Sequence, residues 1–156
     1  MAIGRSVPML DSLARVTGKV DYMINLRLPN MLVGKIVRSQ PPRAKLLKVD
    51  PANALQVPGV VAILTGADLG ANTFYGAAIK DQGVVAVDQV RYVGEPIAAI
   101  AAESLEAAEE AALLIDIEYE ELPSIFDVQE AIQPGAPVLH EKYPNNIFIH
   151  SKLRHG

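Results

Sequence analysis

The 156-residue sequence has no cysteine, and that absence removes three chemistries together. No disulfide can form, no thiolate can hold an iron–sulfur cluster, and no cysteine nucleophile is available. Any redox centre associated with the chain must sit elsewhere. Long apolar runs are also missing: the longest, Pro96–Ala102, stops at Glu103, well short of the roughly 20 residues that cross a bilayer. The opening Met1–Pro8 lacks the apolar segment of a secretory signal, which makes the cytoplasm the default compartment. Basic clusters are absent and the formal net charge is −4, so neither nucleic acid nor a membrane surface is expected as a partner.

What remains is an ordinary globular composition. Half of the residues are apolar and 21% are charged, which excludes disorder, collagen and coiled coil for a chain sized for one domain or two small ones. Tyr22–Leu28 alternates with period two and reads as a strand, turned at Pro29-Asn30 into a returning strand Met31–Arg38. Pro41-Pro42 then breaks this first hairpin. Ala44–Val49 reads as a strand, Asp50-Pro51 as the start of a short helix to about Gln56, and Val60–Thr65 as a buried strand followed by a turn over Gly66–Gly70. Ala71–Gly83 shows no clean period and reads as loop. Strands are expected at Val84–Val87, Val90–Val93 and Pro96–Ala102, the last central because it is apolar throughout.

A helix from Ser104 to about Leu114 follows, serine-capped, with Leu105, Ala108 and Ala112 as its apolar face. Ile115–Glu120 alternates as a strand with one wet face. Asp127-Val128-Gln129-Glu130 has capping-box spacing and opens a short helix, and Ile147–Ser151 reads as a last strand. The fold class is α+β, with hairpins and two or three helices.

Few residues point to chemistry. Thr17-Gly18-Lys19 lacks the flanking glycine and hydroxyl residue of a phosphate loop. His140, His150 and His155 stand ten and five residues apart, which puts no two of them on one helix face. Glu118, Glu120 and Glu121 read as the solvent side of a strand, and Lys80 lacks the flanking methionines of an acylated swinging arm. No catalytic, cofactor-binding or metal-ligating residue is therefore assigned. The remaining candidates are Gly94, Glu95 and Pro96, at the mouth of the apolar strand. They are read as a structural turn or an interdomain contact, with a small enzyme site there as the rival, and no second group pairs with Glu95 by spacing.

Several blocks together resemble one family: Val16–Lys19, Gly34–Ser39, Pro58–Thr65 with Asp68-Leu69, Val90–Ala98, Glu118–Pro123 and Pro137–Glu141. The chain resembles the N-terminal α/β-hammerhead domain of the molybdenum-binding large subunit of xanthine dehydrogenases and aldehyde oxidases. The resemblance implies a single hammerhead domain with a mixed sheet over residues 1–156, about 1–15 being an N-terminal extension and about 144–156 a linker toward a molybdopterin-binding domain. It also implies partners: that molybdopterin-binding domain, a [2Fe–2S] subunit and often an FAD subunit. Molybdenum–molybdopterin would then belong to the full complex, with no cofactor held by this chain, which would be inert alone. Where the family often has a Pro-His-Ala-like stretch, this chain has Gln40-Pro41-Pro42-Arg43-Ala44. The alternative is a self-standing binding module of the same fold with no activity. Self-association through an exposed apolar patch is a further expectation.

Overall fold

A computed structural model describes residues 3–69, 74–76 and 80–156. The chain divides into two compact units, within residues 1–31 and 32–156. In the first, helix α1 (Ser12–Val16) carries an Asp11–Arg15 ion pair of 2.6 Å one turn apart. It ends in a Schellman motif: Gly18 at φ +68° donates its N–H to the Arg15 carbonyl, and Lys19 donates to that of Ala14. The Thr17-Gly18-Lys19 run is thus a helix stop, with glycine where the left-handed conformation requires it.

Tyr22–Leu28 is not a strand. The chain winds into a 3₁₀ turn over Met23–Asn25, where Asn25 N–H bonds to the Tyr22 carbonyl and the Arg27 guanidinium donates to the Ile24 and Leu26 carbonyls. Seven alternating residues do not make a strand when no neighbour completes the ladder, and local bonds take over.

The second unit contains β1 (Val33–Arg38), β2 (Ala44–Asp50), β3 (Val60–Thr65), β4 (Phe74–Tyr75), β5 (Gln82–Gly83), β6 (Gln89–Val90), β7 (Pro96–Ala102), helix α2 (Leu105–Leu114), β8 (Asp116–Glu121) and helix α3 (Val128–Ala131). The strands form three sheets, ordered β1-β7-β3, β6-β2-β8 and β4-β5. Every ladder among the described residues is antiparallel, so the α+β class resolves into small antiparallel sheets instead of one mixed sheet.

The apolar run Pro96–Ala102 is the centre of the first sheet, with β1 on one side and β3 on the other. The expected first hairpin is therefore replaced by a long-range pairing, in which Val33, Lys35 and Val37 face Ala102, Ile100 and Ala98. Helix α2 lies on this face and buries Ala107, Ala108 and Ala111 against Ala98, Ile100 and Ala102. Alanine on both sides lets helix and sheet approach closely. The helix begins where Ser104 accepts a hydrogen bond from Ala107 N–H. Its buried face is Ala107, Ala108 and Ala111, with Leu105 half exposed, a shift from the expected face set by where the sheet lies.

The second sheet packs its own cluster of Ala44, Ala86, Val90 and Ile97, and Val49 and Ile117 touch both clusters. On β8 the carboxylates of Glu118 and Glu120 stand opposite Lys48 and Lys45, pairing charges across strands on the wet side.

Other segments correct the expectations. The helix expected after Asp50 is a 3₁₀ turn over Ala54–Gln56, because only seven residues separate Asp50 from Pro58. Asp50 instead caps its own turn through Ala52 N–H at 2.9 Å. Gly66–Asp68 is a 3₁₀ turn in which the Asp68 carboxylate takes the Thr65 N–H and hydroxyl at 2.7 and 2.9 Å. Phe74-Tyr75 and Gln82-Gly83 pair within the expected loop; its residues 71–73 and 77–79 lie outside the described ones, as does Gly70 of the preceding turn. Val84–Val87 forms no strand although Val85 and Ala86 are buried, only Gln89-Val90 of the next segment is strand, and Ile147–Ser151 has no ladder partner among the described residues. Apolarity alone buries a residue without deciding its backbone bonds.

Ile100, 2% exposed on β7, anchors the larger cluster. Ile100→Ala is expected to lower unfolding free energy in urea by about 2–5 kcal/mol, whereas Leu113→Ala, on the exposed side of α2, changes it by less than about 0.5 kcal/mol. Equal effects would contradict this placement of the core.

Candidate functional site

The end of β1 and the entry to β7 are tied by one knot. Ser39 N–H donates to the Glu95 carbonyl at 2.9 Å, and Gly94 N–H donates to the Ser39 carbonyl at 2.9 Å. The Ser39 hydroxyl donates to the Tyr92 carbonyl at 2.8 Å and accepts from Glu95 N–H at 3.1 Å. Arg38 Nη1 closes the outer side on the Gly94 carbonyl at 2.9 Å. Ser39 and Glu95 are 4% and 7% exposed, so these bonds satisfy groups that water does not reach.

Each residue of Gly94-Glu95-Pro96 has a physical reason here. Gly94 sits at φ +87° with open space where a Cβ would point, so the demand is on backbone conformation alone. Pro96 opens the strand where the ladder shifts register between Val37 and Arg38, a position that needs no N–H. The Glu95 carboxylate folds back to accept the Arg91 N–H, closing the loop Arg91–Glu95. Burial pushes the Glu95 carboxyl above its ordinary value of 4.5, opposed by the Arg91 N–H and the Arg91 charge. The second ionisable group missing from the spacing is therefore Arg91, whose contacts close a turn. No nucleophile–base pair is formed at Glu95.

Two arginines flank this knot. Arg43 Nη1 donates to the Pro123 carbonyl at 2.9 Å and Nη2 to that of Val138 at 2.7 Å, strapping β2 to the segment after β8. Arg91 Nη1 donates to the Gln89 carbonyl at 3.2 Å, and its Nη2 lies 3.6 Å from Asp88. The Nε–H groups of both arginines are buried without an acceptor among the described residues. The Arg43 guanidinium is held below its ordinary pKa by burial and by the charge of Arg91. An unpaired buried donor costs on the order of 1–3 kcal/mol. Asn146, at φ +57°, ties the later segment together, accepting from Leu139 N–H and donating to the Ala131 and Pro137 carbonyls.

The histidines are not brought together. His140 lines a cleft of about 320 Å³ with Lys80, Asp81 and Arg91, and burial and the Arg91 charge lower its pKa. His150 and His155 are exposed. Among the described residues no three His, Asp or Glu side chains gather to hold a metal ion. Glu118, Glu120 and Glu121 face water on β8. The residues missed from sequence are Ser39, Arg43, Arg91 and Asn146. Ser39, between a strand and a proline pair, was the one with a visible signal.

These antiparallel sheets, with α2 laid across the alanine-rich central strand, are an α/β-hammerhead fold. Residues 17–123 match the family described as aldehyde oxidase and xanthine dehydrogenase, a/b hammerhead domain, and the chain belongs to that family. It is 43% identical over 131 residues to a probable xanthine dehydrogenase subunit of Bacillus subtilis, covering 84% of this chain and 18% of that protein. It is 33% identical over 138 residues to the nicotinate dehydrogenase large molybdopterin subunit of Eubacterium barkeri, covering 88% of this chain and 32% of that protein. Among solved structures, reconstituted CO dehydrogenase from Oligotropha carboxidovorans superposes with a TM-score of 0.81 at 32% identity, over 89% of this chain and 18% of that one. The chain thus spans about a fifth to a third of the length of these relatives.

The knot yields a signed pH prediction. A folded state that raises the Glu95 pKa holds its proton more tightly than the unfolded chain. The contribution of Glu95 to stability is then fully present below 4.5 and is lost as pH rises through the raised value. Urea titrations of wild type and Glu95→Gln are expected to show a difference that moves in favour of the glutamine across that window. Glu95→Ala, which leaves the Arg91 N–H without its acceptor, is expected to lie about 1–3 kcal/mol below Glu95→Gln. A difference between wild type and Glu95→Gln that is flat with pH would contradict the burial of this carboxylate.

Proposed function

We propose that this chain is the hammerhead domain of the large subunit of a molybdenum hydroxylase, an oxidoreductase of the xanthine dehydrogenase and aldehyde oxidase type. Its role is structural and assembling, and alone it is catalytically inert. The observation that carries the reading is the family match over residues 17–123, joined to relatives several times longer than this chain. In this reading residues 1–15 are an extension of the domain and residues from about 144 onward lead to a molybdopterin-binding domain. An iron–sulfur subunit and, in flavin-containing members, an FAD subunit complete a cytoplasmic enzyme.

The donor set of this chain does not fit a molybdenum–pterin centre. Among the described residues no three His, Asp or Glu side chains gather to hold a metal ion, and the polar groups of its main turn are spent on backbone bonds. No reaction step is therefore derived from it. The second face of the β1-β7-β3 sheet gives independent support. By the pleat it presents Gly34, Ile36, Ala62, Leu64, Ala99 and Ala101 beside the buried Ile97, with the charge of Arg38 at the end of β1, past the register shift. A free-standing module would ordinarily carry polar residues on such a face.

The test is to extend expression through the reading frame beyond codon 156 and measure bound molybdenum and turnover. The longer product is expected to carry stoichiometric molybdenum, and the 156-residue chain neither metal nor turnover. Turnover by the short chain, or a frame that stops there with no metal, would overturn the reading.

A further inference from the structure

We infer that residues 123–148 form a strap that opens from the two larger sheets as one unit, hinged at Leu122-Pro123 and latched by the Arg43 side chain. Opening redirects the chain where it leaves β8 while both cores stay closed. The strap is independent of the function proposed above.

The strap adds nothing to either core. Neither hydrophobic cluster contains a residue after Tyr119, and no residue of the strap is buried. Its apolar side chains do not anchor it, since Phe126 is 83% exposed and Val128 75%. Two clefts run along its seam with the sheets, one of about 320 Å³ lined by His140 and Arg91 and one of about 230 Å³ lined by Phe126 and Tyr92. A seam with such gaps forgoes the dispersion contacts that close packing supplies.

What holds the strap is polar and concentrated in one side chain. Arg43 Nη1 donates to the Pro123 carbonyl at 2.9 Å and Nη2 to that of Val138 at 2.7 Å, one bond at the hinge and one beyond the middle of the strap. Among the described residues these are the only hydrogen bonds between residues 123–148 and residues 32–121, and no ion pair joins the two. Leu122 N–H donates to the Arg43 carbonyl at 3.0 Å, which fixes the pivot, and Pro123 has no N–H with which to continue a ladder. Inside the strap the bonds are mutual. Asp127 caps α3 on the Gln129 and Glu130 N–H groups, Asn146 joins Leu139 to Ala131 and Pro137, and the Tyr143 and Phe148 rings meet edge to face at 6.5 Å. A segment bonded to itself, and to its neighbours through one guanidinium, opens cooperatively, and its internal bonds go with it because it has no core of its own to keep water out.

The test is amide hydrogen exchange of the wild-type chain, Arg43→Gln and Ile100→Val, followed at Ala131, Leu139, Tyr143 and Asn146, whose N–H groups are all bonded within the strap. In wild type these four are expected to share one opening free energy, with protection at least about tenfold below that of Ala98–Ala102 and a weaker dependence on urea. Arg43→Gln, which removes the charged fork, is expected to speed their exchange about tenfold to a hundredfold. Ile100→Val weakens the larger core, which strap opening leaves closed. It is expected to speed exchange at Ala98–Ala102 about threefold to tenfold and to leave the four strap amides unchanged, and this pattern decides the matter should Arg43→Gln not fold. Strap amides as protected as Ala98–Ala102, strap exchange that rises with Ile100→Val by the same factor as the core, or exchange insensitive to Arg43→Gln would each overturn the inference.

Discussion

The structure depends on β7 being buried from both edges and from α2. Pro96–Ala102 pairs with β1 on one side and β3 on the other, and its Ala98, Ile100 and Ala102 receive the alanine face of α2. Ile97, on the opposite face, enters the second cluster with Ala44, Ala86 and Val90. One seven-residue segment thereby supplies both cores, and its entry is fixed by the bonds between Ser39, Tyr92, Gly94 and Glu95. The apolar area removed from water at Ile97 and Ile100 contributes roughly 1.5–3 kcal/mol per side chain. The knot determines which residues occupy those positions.

How legible a segment was depended on whether its cause is local. β7 shows as an unbroken apolar run behind Gly-Glu-Pro, α2 starts at a serine whose hydroxyl accepts the Ala107 N–H, and β8 alternates because one side pairs with lysines in water. Those causes lie within a few residues. The pairing of β1 with β7 joins segments some 60 residues apart, and nothing in Met31–Arg38 distinguishes that partner from the nearer Tyr22–Leu28. Two-residue strands such as Gln89-Val90 carry no period at all. The same logic hid Arg43, whose role is defined by carbonyls at Pro123 and Val138.

The family blocks of the sequence acquire physical meaning in the same way. Thr17-Gly18-Lys19 stops a helix, Thr65 and Asp68 form one side-chain bond set, and Gly94-Glu95-Pro96 starts the central strand. Motifs that read as candidates for chemistry are spent on geometry.

The central claim is that β7 and α2 form the most stable unit of the chain and that the rest is organised around them. Native-state amide hydrogen exchange of the 156-residue protein tests it most directly, because the slowest amides report the free energy of global opening. The strongest protection is expected at Ala98–Ala102 and Ala108–Ala111, with residues of the first unit exchanging far faster. Equal or greater protection at Tyr22–Leu28 or Ile147–Ser151 would contradict it.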